Sequence, residues 1–373
     1  MHVIIMEANM KKILIFSNHP SYTYNLRKEI IIGFLQEGYR VTIAVPYGEE
    51  VEYFRTRGAR IVNIKIEERS KNPFKDLALL EENIKILKAE SPDVVLTYAT
   101  KQNIYGGMAA RILKIPYIPM ITGLGTAMEN PGVLRAITSF LYRNGVKKAS
   151  AIMVQNNSIL TKLKKFNMIH APVHMTPGSG VSLTYHDYKS YPPETQNPTF
   201  LYIGRLMKDK GIYELVEAAK HLKKQYPDIV FQVIGHGSLK EDVKMVEKAD
   251  KEGYIDYLGT QKDVRPFIAN AHATILPSYH EGMANVLLES AAAGRPVITS
   301  NVPGCIETLD NRETGIAFEA KNVNALEKAV EEFMQLSYEQ KEAMGKKGRI
   351  KMENEFDRTL IFNQYKQIIE QLG

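Results

Sequence analysis

ATILPSYHEGMANVLLESAAAGRPVIT, residues 273–299, contains a complete strand–helix–strand unit. An apolar run at 273–276 leads through a polar loop into a helical stretch at 284–293, and Gly294 separates that stretch from a second apolar run at 297–299. Continuous apolar runs, rather than strict alternation, are typical of strands that are covered on both faces. A helix between two such strands predicts a parallel sheet, so this unit predicts an α/β fold.

The same alternation of strands and helices extends through both halves of the chain. Besides the unit above, apolar runs predict strands at 13–16, 40–45, 60–64, 94–98, 117–121, 199–203, 230–234 and 255–258. Helical patterns predict helices at 25–37, 50–57, 76–89, 104–113, 212–224, 239–252, 264–270, 325–335 and within 339–371. The pattern predicts two doubly wound, Rossmann-like domains that face each other across a cleft, with ligands at the carboxyl ends of the strands.

A proline-rich stretch without periodicity interrupts this alternation near the middle of the chain. We predict a linker at 181–198, between an N-terminal domain over 1–180 and a C-terminal domain over 199–352. Residues 1–9 are expected to form a short extension before the first strand. Residues 353–373 are expected to form a C-terminal helix that packs back on the N-terminal domain.

Composition limits the possible classes of protein. Hydrophobic residues make up 44% and charged residues 24% of the 373 residues, which is typical of globular domains and not of disorder. The single cysteine, Cys305, excludes an intrachain disulfide and argues against a cysteine-based metal site. The N-terminus lacks the features of a secretory signal, and no apolar window reaches the roughly 18 residues of a transmembrane helix. We therefore expect a cytoplasmic protein.

Charge is distributed unequally between the two halves. Residues 1–185 carry 24 Lys and Arg against 14 Asp and Glu, whereas residues 186–373 carry 24 against 28. A basic half is compatible with nucleic acid, an anionic membrane, a phosphate-bearing substrate or simply a solvated surface. We expect no nucleic acid partner, because no recognisable binding module is present and the basic residues are not interleaved with aromatic ones.

Two of the glycine-containing loops in the C-terminal half follow neighbouring predicted strands, and the first of them is also basic. Residues 204–211, GRLMKDKG, connect a predicted strand to a predicted helix and place Arg205 and Lys210 on one loop. A guanidinium and an ammonium there can neutralise a diphosphate, although a solvated basic loop would have the same sequence. Gly235 and Gly237 follow the next strand, and they either let the backbone approach a ligand closely or form a plain turn.

Two carboxylates lie in the unit quoted first. Glu281 belongs to the loop before the helix, and Glu289 lies inside the helix among apolar residues. A carboxylate on a buried face needs a partner, which a ribose diol, an arginine or a backbone N–H would each provide. The helix is expected to begin near Met283 or Ala284, where its free N–H groups form an anion site.

Together these segments resemble the donor domain of the retaining family 4 glycosyltransferases, which have the two-domain GT-B fold. The resemblance is carried by Gly-Arg-Leu with Lys-Gly at 204–211, by the Glu-x7-Glu pair of Glu281 and Glu289, and by Ala-x-Gly-x-Pro-Val-Ile at 292–298. The three segments occur in the family's order. The run at 101–126 resembles members that build lipid-linked bacterial oligosaccharides and capsules.

The resemblance implies a nucleotide-sugar donor, with UDP and an N-acetylhexosamine or hexose as the expected base and sugar. Arg205 and Lys210 would hold the diphosphate and stabilise its charge as it leaves. Glu281 would contact the donor sugar, and Glu289 would bind the ribose. The implied donor-binding residues are Gly204, Arg205, Lys210, Gly235, Gly237, Glu281, Gly282, Met283, Ala284, Asn285 and Glu289, with Glu281, Arg205 and Lys210 as the catalytic ones. The family retains the sugar configuration and needs no metal ion or other cofactor.

The acceptor side is less marked in the sequence. Candidate residues follow three predicted strands of the N-terminal half: Asn18, His19, Tyr22, Lys101, Thr122 and Gly123. The loop at 17–24 has no glycine, and its polar residues either line an acceptor site or form a hydrogen-bonded loop. Lys101 meets either an acceptor phosphate or solvent. The resemblance implies a polyprenyl-diphosphate-linked saccharide as acceptor, and no catalytic histidine is carried over because Thr122 and Gly123 stand at its position.

Residues 131–149 have an amphipathic and basic pattern. Apolar and basic side chains share this helical stretch: Leu134, Ile137, Phe140 and Leu141, with Arg135, Arg143, Lys147 and Lys148 around them. The stretch is either an interfacial helix on anionic lipid or a helix packed on its own sheet. The first alternative predicts a peripheral protein on the inner face of the cell membrane.

Two other functions fit part of this pattern. A sugar-nucleotide epimerase on a similar scaffold would use acid–base groups such as Glu281 and His280 against the donor sugar. A non-catalytic nucleotide-sugar sensor would need the same donor site. The pairing of Arg205 with Lys210 and the Gly-Arg-Pro-Val-Ile turn favour transfer.

Overall fold

The computed structural model of the chain describes residues 10–67, 72–125, 128, 131–195 and 197–372. The chain divides into two compact units. Unit 1 comprises Met1–Ser179 and Arg358–Gly373, and unit 2 comprises Gly180–Asp357. The extension predicted at 1–9 lies outside the described residues.

Unit 1 is built on a parallel sheet of seven strands: β1 (Lys12–Phe16), β2 (Arg40–Val45), β3 (Arg60–Asn63), β4 (Val94–Tyr98), β5 (Tyr117–Ile121), β6 (Ile152–Val154) and β7 (Val173–Met175). Their order is β3-β2-β1-β4-β5-β6-β7. In the central register, Ile13 pairs with Val41 on one side and with Val94 on the other. The helices between the strands are α1 (Pro20–Gln36), α2 (Glu52–Arg55), α3 (Pro73–Glu90), α4 (Gly107–Ile112), α5 (Val133–Val146) and α6 (Asn157–Lys165).

Unit 2 repeats this architecture with six parallel strands: β8 (Thr199–Ile203), β9 (Val230–Ile234), β10 (Asp256–Tyr257), β11 (Ala273–Leu276), β12 (Val297–Ser300) and β13 (Gly315–Phe318). Their order is β10-β9-β8-β11-β12-β13. The helices are α7 (Ile212–Gln225), α8 (Lys240–Lys251), α9 (Arg265–Asn270), α10 (Asn285–Ala292), α11 (Val323–Gln335) and α12 (Tyr338–Lys351), and α13 (Arg358–Gln371) ends the chain in unit 1.

The central strands, such as β4, β5, β11 and β12, are buried on both faces, which explains their continuous apolar runs. Leu14 and Ile15 are neighbours in β1 but belong to different apolar cores of unit 1. The core around Ile15 also contains Ile361 and Tyr365 of α13. Burial of these side chains is the physical reason that α13 belongs to unit 1, although it follows unit 2 in sequence.

Helix α1 begins at Pro20, so the predicted start at Asn25 is wrong. Proline is tolerated in the first helical turn because its missing N–H has no partner there in any case. The His19 ring caps the helix by accepting a hydrogen bond from the N–H of Ser21 at 3.2 Å. Most of the loop predicted at 17–24 is therefore helical, and Tyr22 projects from the first turn.

Four elements were not expected from the sequence: β6, β7, β13 and α6. β6 and β7 have three residues each, and so short a run contains too few side chains for a periodic pattern. The predicted helix at 104–113 is preceded by a π-helical turn at Gln102–Gly106. The predicted helical region at 339–371 comprises α12, a second π-helical turn at Met352–Phe356, and α13.

The segment predicted as a linker at 181–198 belongs to unit 2. The Tyr191 hydroxyl donates to the carbonyl of His272 at 2.9 Å. Arg295 is fully buried and donates to the carbonyls of Lys189 at 3.1 Å and Ser190 at 2.6 Å. These bonds attach the segment to the sheet of unit 2, so it is a structural layer of that unit rather than a free connection.

Candidate active site

Three loops meet at the carboxyl edge of the unit 2 sheet. Residues 204–211 follow β8, residues 277–284 follow β11 and residues 301–305 follow β12. β8, β11 and β12 are consecutive in the sheet, so their loops lie side by side. This is the edge at which ligands bind in open parallel sheets, and it holds Arg205, Lys210 and Glu281.

Lys210 and Glu281 form an ion pair between Nζ and Oε1. The two side chains are only 18% and 13% exposed. The hydroxyl of Ser278, which is fully buried, donates to the same Oε1 at 2.8 Å. Partial burial strengthens such a network, because water competes less for the charged groups. The carboxylate of Glu281 therefore has a fixed position between a cation and a hydroxyl.

The backbone around Glu281 is anchored on both sides. The N–H of Tyr279 donates to the carbonyl of Asp209 at 2.9 Å, which joins this loop to the loop of Lys210. The N–H of Glu281 donates to the carbonyl of Pro303 at 3.2 Å. Gly304 has φ +83°, and a Cβ there would lie 2.3 Å from the carbonyl oxygen of Glu281. Only glycine, which has no Cβ, fits this close approach, so Gly304 helps to fix the backbone position of Glu281 at the sheet edge.

Arg205 is exposed, but its backbone is held. The hydroxyl of the buried Tyr202 donates to the carbonyl of Arg205 at 2.9 Å. Burial raises the pKa of Tyr202 far above its usual value, so this phenol stays protonated and remains a donor. This hydrogen bond fixes the backbone of Arg205. The side chain is exposed and can bind an anionic ligand.

Gly235 and Gly237 have a structural role in the neighbouring loop. A Cβ on Gly235 would lie 1.9 Å from the carbonyl oxygen of Gly204, and one on Gly237 would lie 2.7 Å from Val243. The N–H of Gly204 also donates to the carbonyl of Ile234 at 3.0 Å. These glycines bring two loops into contact, and their direct contact with a ligand stays a prediction.

Helix α10 presents two polar side chains from its first two turns. Asn285 and Glu289 are four residues apart and so lie on one face, and both are partly exposed. The prediction that Glu289 lies on a buried face is wrong, because the buried face of α10 is formed by other residues, among them Leu287, Leu288 and Ala291. The Oδ1 atom of Asn285 is buried and has no hydrogen-bond partner among the described residues.

One of the predicted anion-binding N–H groups is already occupied. The N–H of Ala284 donates to the carbonyl of Gly304 at 2.8 Å. Helix α10 begins at Asn285, after Ala284 at its N-cap. The N–H groups of Met283 and Asn285 are therefore the candidates for contact with phosphate, and Gly282 lies beside them in the same loop.

On unit 1, the residues after β1 form a partly exposed polar surface. The ring of His19 lies 4.8 Å from that of Tyr22, which is 60% exposed. Asn18 is buried, and its Oδ1 atom has no hydrogen-bond partner among the described residues. His19 both caps α1 and contacts Tyr22, and contact of these residues with an acceptor stays a prediction.

Lys101 is engaged within unit 1. Its Nζ lies 2.8 Å from Oδ1 of Asp76, and the hydroxyl of Tyr105 donates to Oδ2 of the same carboxylate at 2.9 Å. In the structure Lys101 is thus paired with a carboxylate of its own unit, and its contact with an acceptor phosphate stays a prediction. Thr122 and Gly123 follow β5 and are partly exposed, whereas residue 126 of the same run lies outside the described residues.

Two known sequence families together match most of the chain. "Glycosyl transferase 4-like" matches residues 12–156, and "Glycosyl transferases group 1" matches residues 187–351. The fold is similar to that of Anabaena HepE in complex with UDP and glucose, with a TM-score of 0.78 at 15% identity over 96% of this chain and 99% of HepE.

The chain belongs to the glycosyltransferases with the GT-B fold.

Two curated relatives of this glycosyltransferase come from bacterial glycan synthesis. It is 25% identical to N,N'-diacetylbacillosaminyl-diphospho-undecaprenol alpha-1,3-N-acetylgalactosaminyltransferase of Campylobacter jejuni subsp. jejuni, over 82% of this chain and 85% of the relative. It is 26% identical to the capsular polysaccharide biosynthesis glycosyltransferase CapM of Staphylococcus aureus, over 85% of this chain and 86% of CapM. The expected family and fold are thus confirmed.

No group of three His, Cys, Asp or Glu side chains is placed to hold a metal ion within the described part of this glycosyltransferase. None of its described helices combines the length and hydropathy needed to span a bilayer.

Sequence reasoning found the charged residues of the site but missed their supports. Ser278 and Tyr202, which hold Glu281 and Arg205, were not identified as functional residues. The one available signal was their place at or directly after a strand end, next to a candidate residue. The ion pair of Lys210 with Glu281 joins loops that are 71 residues apart, and neither loop predicts it alone.

Proposed function

We propose that this glycosyltransferase transfers a sugar, with retention of configuration, from a UDP-sugar to a polyprenyl-diphosphate-linked saccharide. The donor sugar is an N-acetylhexosamine or a hexose. The observation that carries the proposal is the fixed arrangement of Lys210, Glu281 and Ser278 beside Arg205 at the ligand-binding edge of unit 2. The reaction belongs to the assembly of a bacterial surface polysaccharide or glycan.

Arg205 and Lys210 bind the diphosphate, which is the leaving group. Breaking the bond between the anomeric carbon and the phosphate develops negative charge on the diphosphate. Arg205 and Lys210 stabilise that charge in the transition state, and Lys210 is already held in place before the donor binds. The N–H groups of Met283 and Asn285, at the start of α10, add donors for the same phosphates.

Glu281 binds the donor sugar. Its contacts with Lys210 and Ser278 both involve Oε1. Oε2 then accepts a hydrogen bond from a hydroxyl of the donor sugar, next to the carbon at which the bond breaks. Because the carboxylate is anchored, its position costs little further ordering when the donor binds.

Glu289 and Asn285 serve the nucleoside. Glu289 accepts hydrogen bonds from the ribose hydroxyls, and the buried Oδ1 of Asn285 accepts a further one from the nucleotide. Their spacing of four residues gives one recognition face on α10. UDP as the nucleotide is supported by the fold shared with HepE, which has been solved with UDP.

The acceptor is a saccharide on a lipid diphosphate. The Campylobacter relative is named for such an acceptor, and unit 1 of this chain is strongly basic, as a diphosphate substrate at an anionic membrane requires. Asn18, His19, Tyr22, Lys101, Thr122 and Gly123 are the proposed acceptor-side residues. The enzyme acts as a peripheral protein on the inner face of the cell membrane.

The reaction proceeds without a metal ion, because Arg205, Lys210 and the start of α10 supply the positive charge at the diphosphate. Activity should therefore persist in an excess of EDTA. Loss of activity in EDTA that is restored by Mg²⁺ or Mn²⁺ would contradict this part of the proposal.

A donor panel tests the function as a whole. The protein is incubated with UDP-, GDP- and ADP-sugars, each with and without a polyprenyl-diphosphate-linked saccharide. The proposal predicts a product only with a UDP-sugar and an acceptor, and NMR of the anomeric proton then shows the same configuration as in the donor. Interconversion of the donor sugar without an acceptor would identify an epimerase instead.

A further inference from the structure

A basic cavity lies on unit 1, at the amino edge of its sheet. The cavity has a volume of about 520 Å³, and Tyr117, the first residue of β5, is part of its wall. The cations of the wall are Arg111, Lys114, Lys147 and Lys148. The wall residues that the structure describes include these four cations and no carboxylate. We call this feature the four-cation cavity.

An exposed apolar stripe on α5 leads to this cavity. Val133, Ile137 and Phe140 are 77%, 52% and 63% exposed, which is unusual for such large apolar side chains. The helical period places these three residues and Lys147 on one face, since they are spaced by four, three and seven residues. The opposite face of the helix, with Tyr142 and Val146, is buried in unit 1. The stripe is therefore an outward surface and does not belong to the core.

The charge around this surface is almost entirely positive. Residues 101–185, which include the stripe and the cavity, contain ten Lys and Arg and a single Asp or Glu. On the neighbouring α6, Lys162, Lys164 and Lys165 are exposed. The excess positive charge of the N-terminal half is thus concentrated around α5 and α6.

A second cavity lies on the same surface. It has a volume of about 340 Å³ beside α5 and is lined by Arg135, Arg143, Phe140 and Phe166, among others. Arg143 donates to the carbonyl of Phe166 at 3.1 Å, which holds its guanidinium at the wall. Two aromatic and two cationic side chains thus share one wall, a combination that suits the boundary between the acyl chains and the headgroups of a bilayer.

We infer that the α5 stripe and the four-cation cavity dock this enzyme on an anionic lipid bilayer. Val133, Ile137 and Phe140 enter the interface, and the cavity receives lipid phosphate groups. The pattern of apolar residues followed by cations along one helix face matches the layering of acyl chains and phosphates. An acidic protein or a nucleic acid would match the cations but leave the apolar stripe in water.

The position of α5 relates the bilayer to the acceptor edge. Helix α5 connects the parallel strands β5 and β6, so it runs from the carboxyl side of the sheet back to the amino side, where Lys147 and Lys148 follow its last residue, Val146. A bilayer along the stripe would thus reach the edge at which the proposed lipid-linked acceptor binds. The inference rests on the proposed function in this respect only, because the exposed stripe and the cavity are observed independently of any substrate.

Vesicle flotation tests the docking surface directly. The full-length enzyme is mixed with vesicles of phosphatidylcholine alone or with phosphatidylglycerol added. At about 1 kcal/mol for each basic residue near an anionic surface, binding to the mixed vesicles should be at least about tenfold tighter. Equal binding to both vesicle types, or none to either, would overturn the inference.

Two variants separate the contributions, and a third is the matched control. Lys147→Glu/Lys148→Glu should lower the affinity for the anionic vesicles at least about tenfold, because each lost basic residue removes its contribution to the binding free energy. Ile137→Ser/Phe140→Ser should lose binding through reduced insertion. Lys244→Glu/Lys248→Glu makes the same charge change on the exposed face of α8 in unit 2 and should bind as the wild type.

Folding and function can be controlled separately. The N–H of Lys148 donates to the hydroxyl of Tyr117 at 3.2 Å, and a side-chain substitution leaves this main-chain bond in place. Circular dichroism and thermal unfolding should therefore match the wild type. A loss of vesicle binding equal to that of the Lys244→Glu/Lys248→Glu control would show only a net-charge effect and contradict the assigned surface.

The final comparison uses two acceptors. The docking variants should keep the wild-type rate on a short-chain acceptor that is soluble in water and lose rate on the same saccharide embedded in anionic vesicles. Equal loss on both acceptors would contradict docking. Because flotation needs neither donor nor acceptor, its failure and a failure of the transferase proposal are distinguishable.

Discussion

The carboxyl edges of the two sheets hold their polar side chains in different ways. In unit 2, Lys210, Glu281 and Ser278 form a closed network, and hydrogen bonds to neighbouring loops fix the backbone around them. In unit 1, Tyr22 is 60% exposed and Lys101 is bound to Asp76. The side chains at the edge of unit 2 are therefore held in place without a ligand. At the edge of unit 1, Tyr22 is exposed to solvent and Lys101 is paired with a residue of its own unit.

The difference between the two edges indicates which kind of substrate each edge is suited to bind. A fixed network suits a nucleotide diphosphate, whose charge and shape are the same for many donors, because preorganised groups need no rearrangement during the reaction. An exposed tyrosine is suited to the sugar rings of the proposed saccharide acceptor, on which it can stack.

The largest effect is expected at Lys210 and Glu281. Lys210→Ala and Glu281→Ala should each lower kcat/KM for transfer by about 10²–10³-fold, because each removes a group that we propose to act at the breaking bond. Initial rates with the donor identified by the panel measure the effect. Lys208→Ala, an exposed neighbour in the same loop, should retain full activity.

The double variant sharpens this result. If the pair acts as one unit, Lys210→Ala/Glu281→Ala should be about as slow as the slower single variant, since coupled residues are not additive. A rate loss equal to the product of the single losses would show independent roles. Full activity in either single variant would refute the donor site as described.

A smaller effect is expected at Ser278, which positions Glu281. Ser278→Ala removes a hydrogen bond to a charged oxygen, which corresponds to about a tenfold loss. The loss should appear in kcat with little change in the KM of the donor, because the residue does not contact substrate. A change in thermal stability without a change in kcat would assign Ser278 a purely structural role, and Ser238→Ala on the exposed neighbouring loop is the control.

On unit 1, Lys101 is expected to affect the acceptor alone. Lys101→Met should raise the KM of the acceptor by about fivefold, through loss of one charged contact to the diphosphate, and leave the KM of the donor unchanged. Lys88→Met, an exposed lysine of α3, is the matched control. An unchanged acceptor KM would show that Lys101 serves only its ion pair with Asp76.

The smallest effect is expected at Cys305, in the turn beside Glu281. Burial raises the pKa of its thiol to about 12, so at pH 7.5 the thiolate is almost absent. Alkylation by iodoacetamide should be at least about 10²-fold slower than that of Tyr22→Cys, whose side chain lies on the exposed surface of unit 1. Rapid modification of Cys305 in the folded enzyme would contradict the closed turn in unit 2.

The fold could be predicted from the sequence where side chains form long, regular patterns. Residues 273–299 gave a strand, a helix and a strand that the structure places within a residue or two. The three-residue strands β6 and β7 could not be predicted, because a strand so short is defined by its neighbours rather than by its own pattern. The start of α1 at Pro20 could be recognised only through its proline and its histidine cap.

The candidate site was predictable as a set of residues but not as an arrangement. Glu281 and Lys210 stood out by charge and by place after a strand, yet their ion pair depends on the order of strands in the sheet. Arg295 is the opposite case, since it lies within the segment 292–298 that resembles the family and yet donates only to backbone carbonyls in the described contacts. Motifs therefore identify residues, and the fold decides which of them contact a substrate and which hold a loop.

The most direct test of the central claim is the transfer of radiolabelled sugar into lipid. The enzyme is incubated with a labelled UDP-sugar and a polyprenyl-diphosphate-linked saccharide, and the organic phase is extracted and counted. We expect label in the lipid fraction with the wild type and with Lys208→Ala, and almost none with Lys210→Ala. Label that stays in the aqueous phase for all three, as free or epimerised sugar, would contradict the proposed transfer.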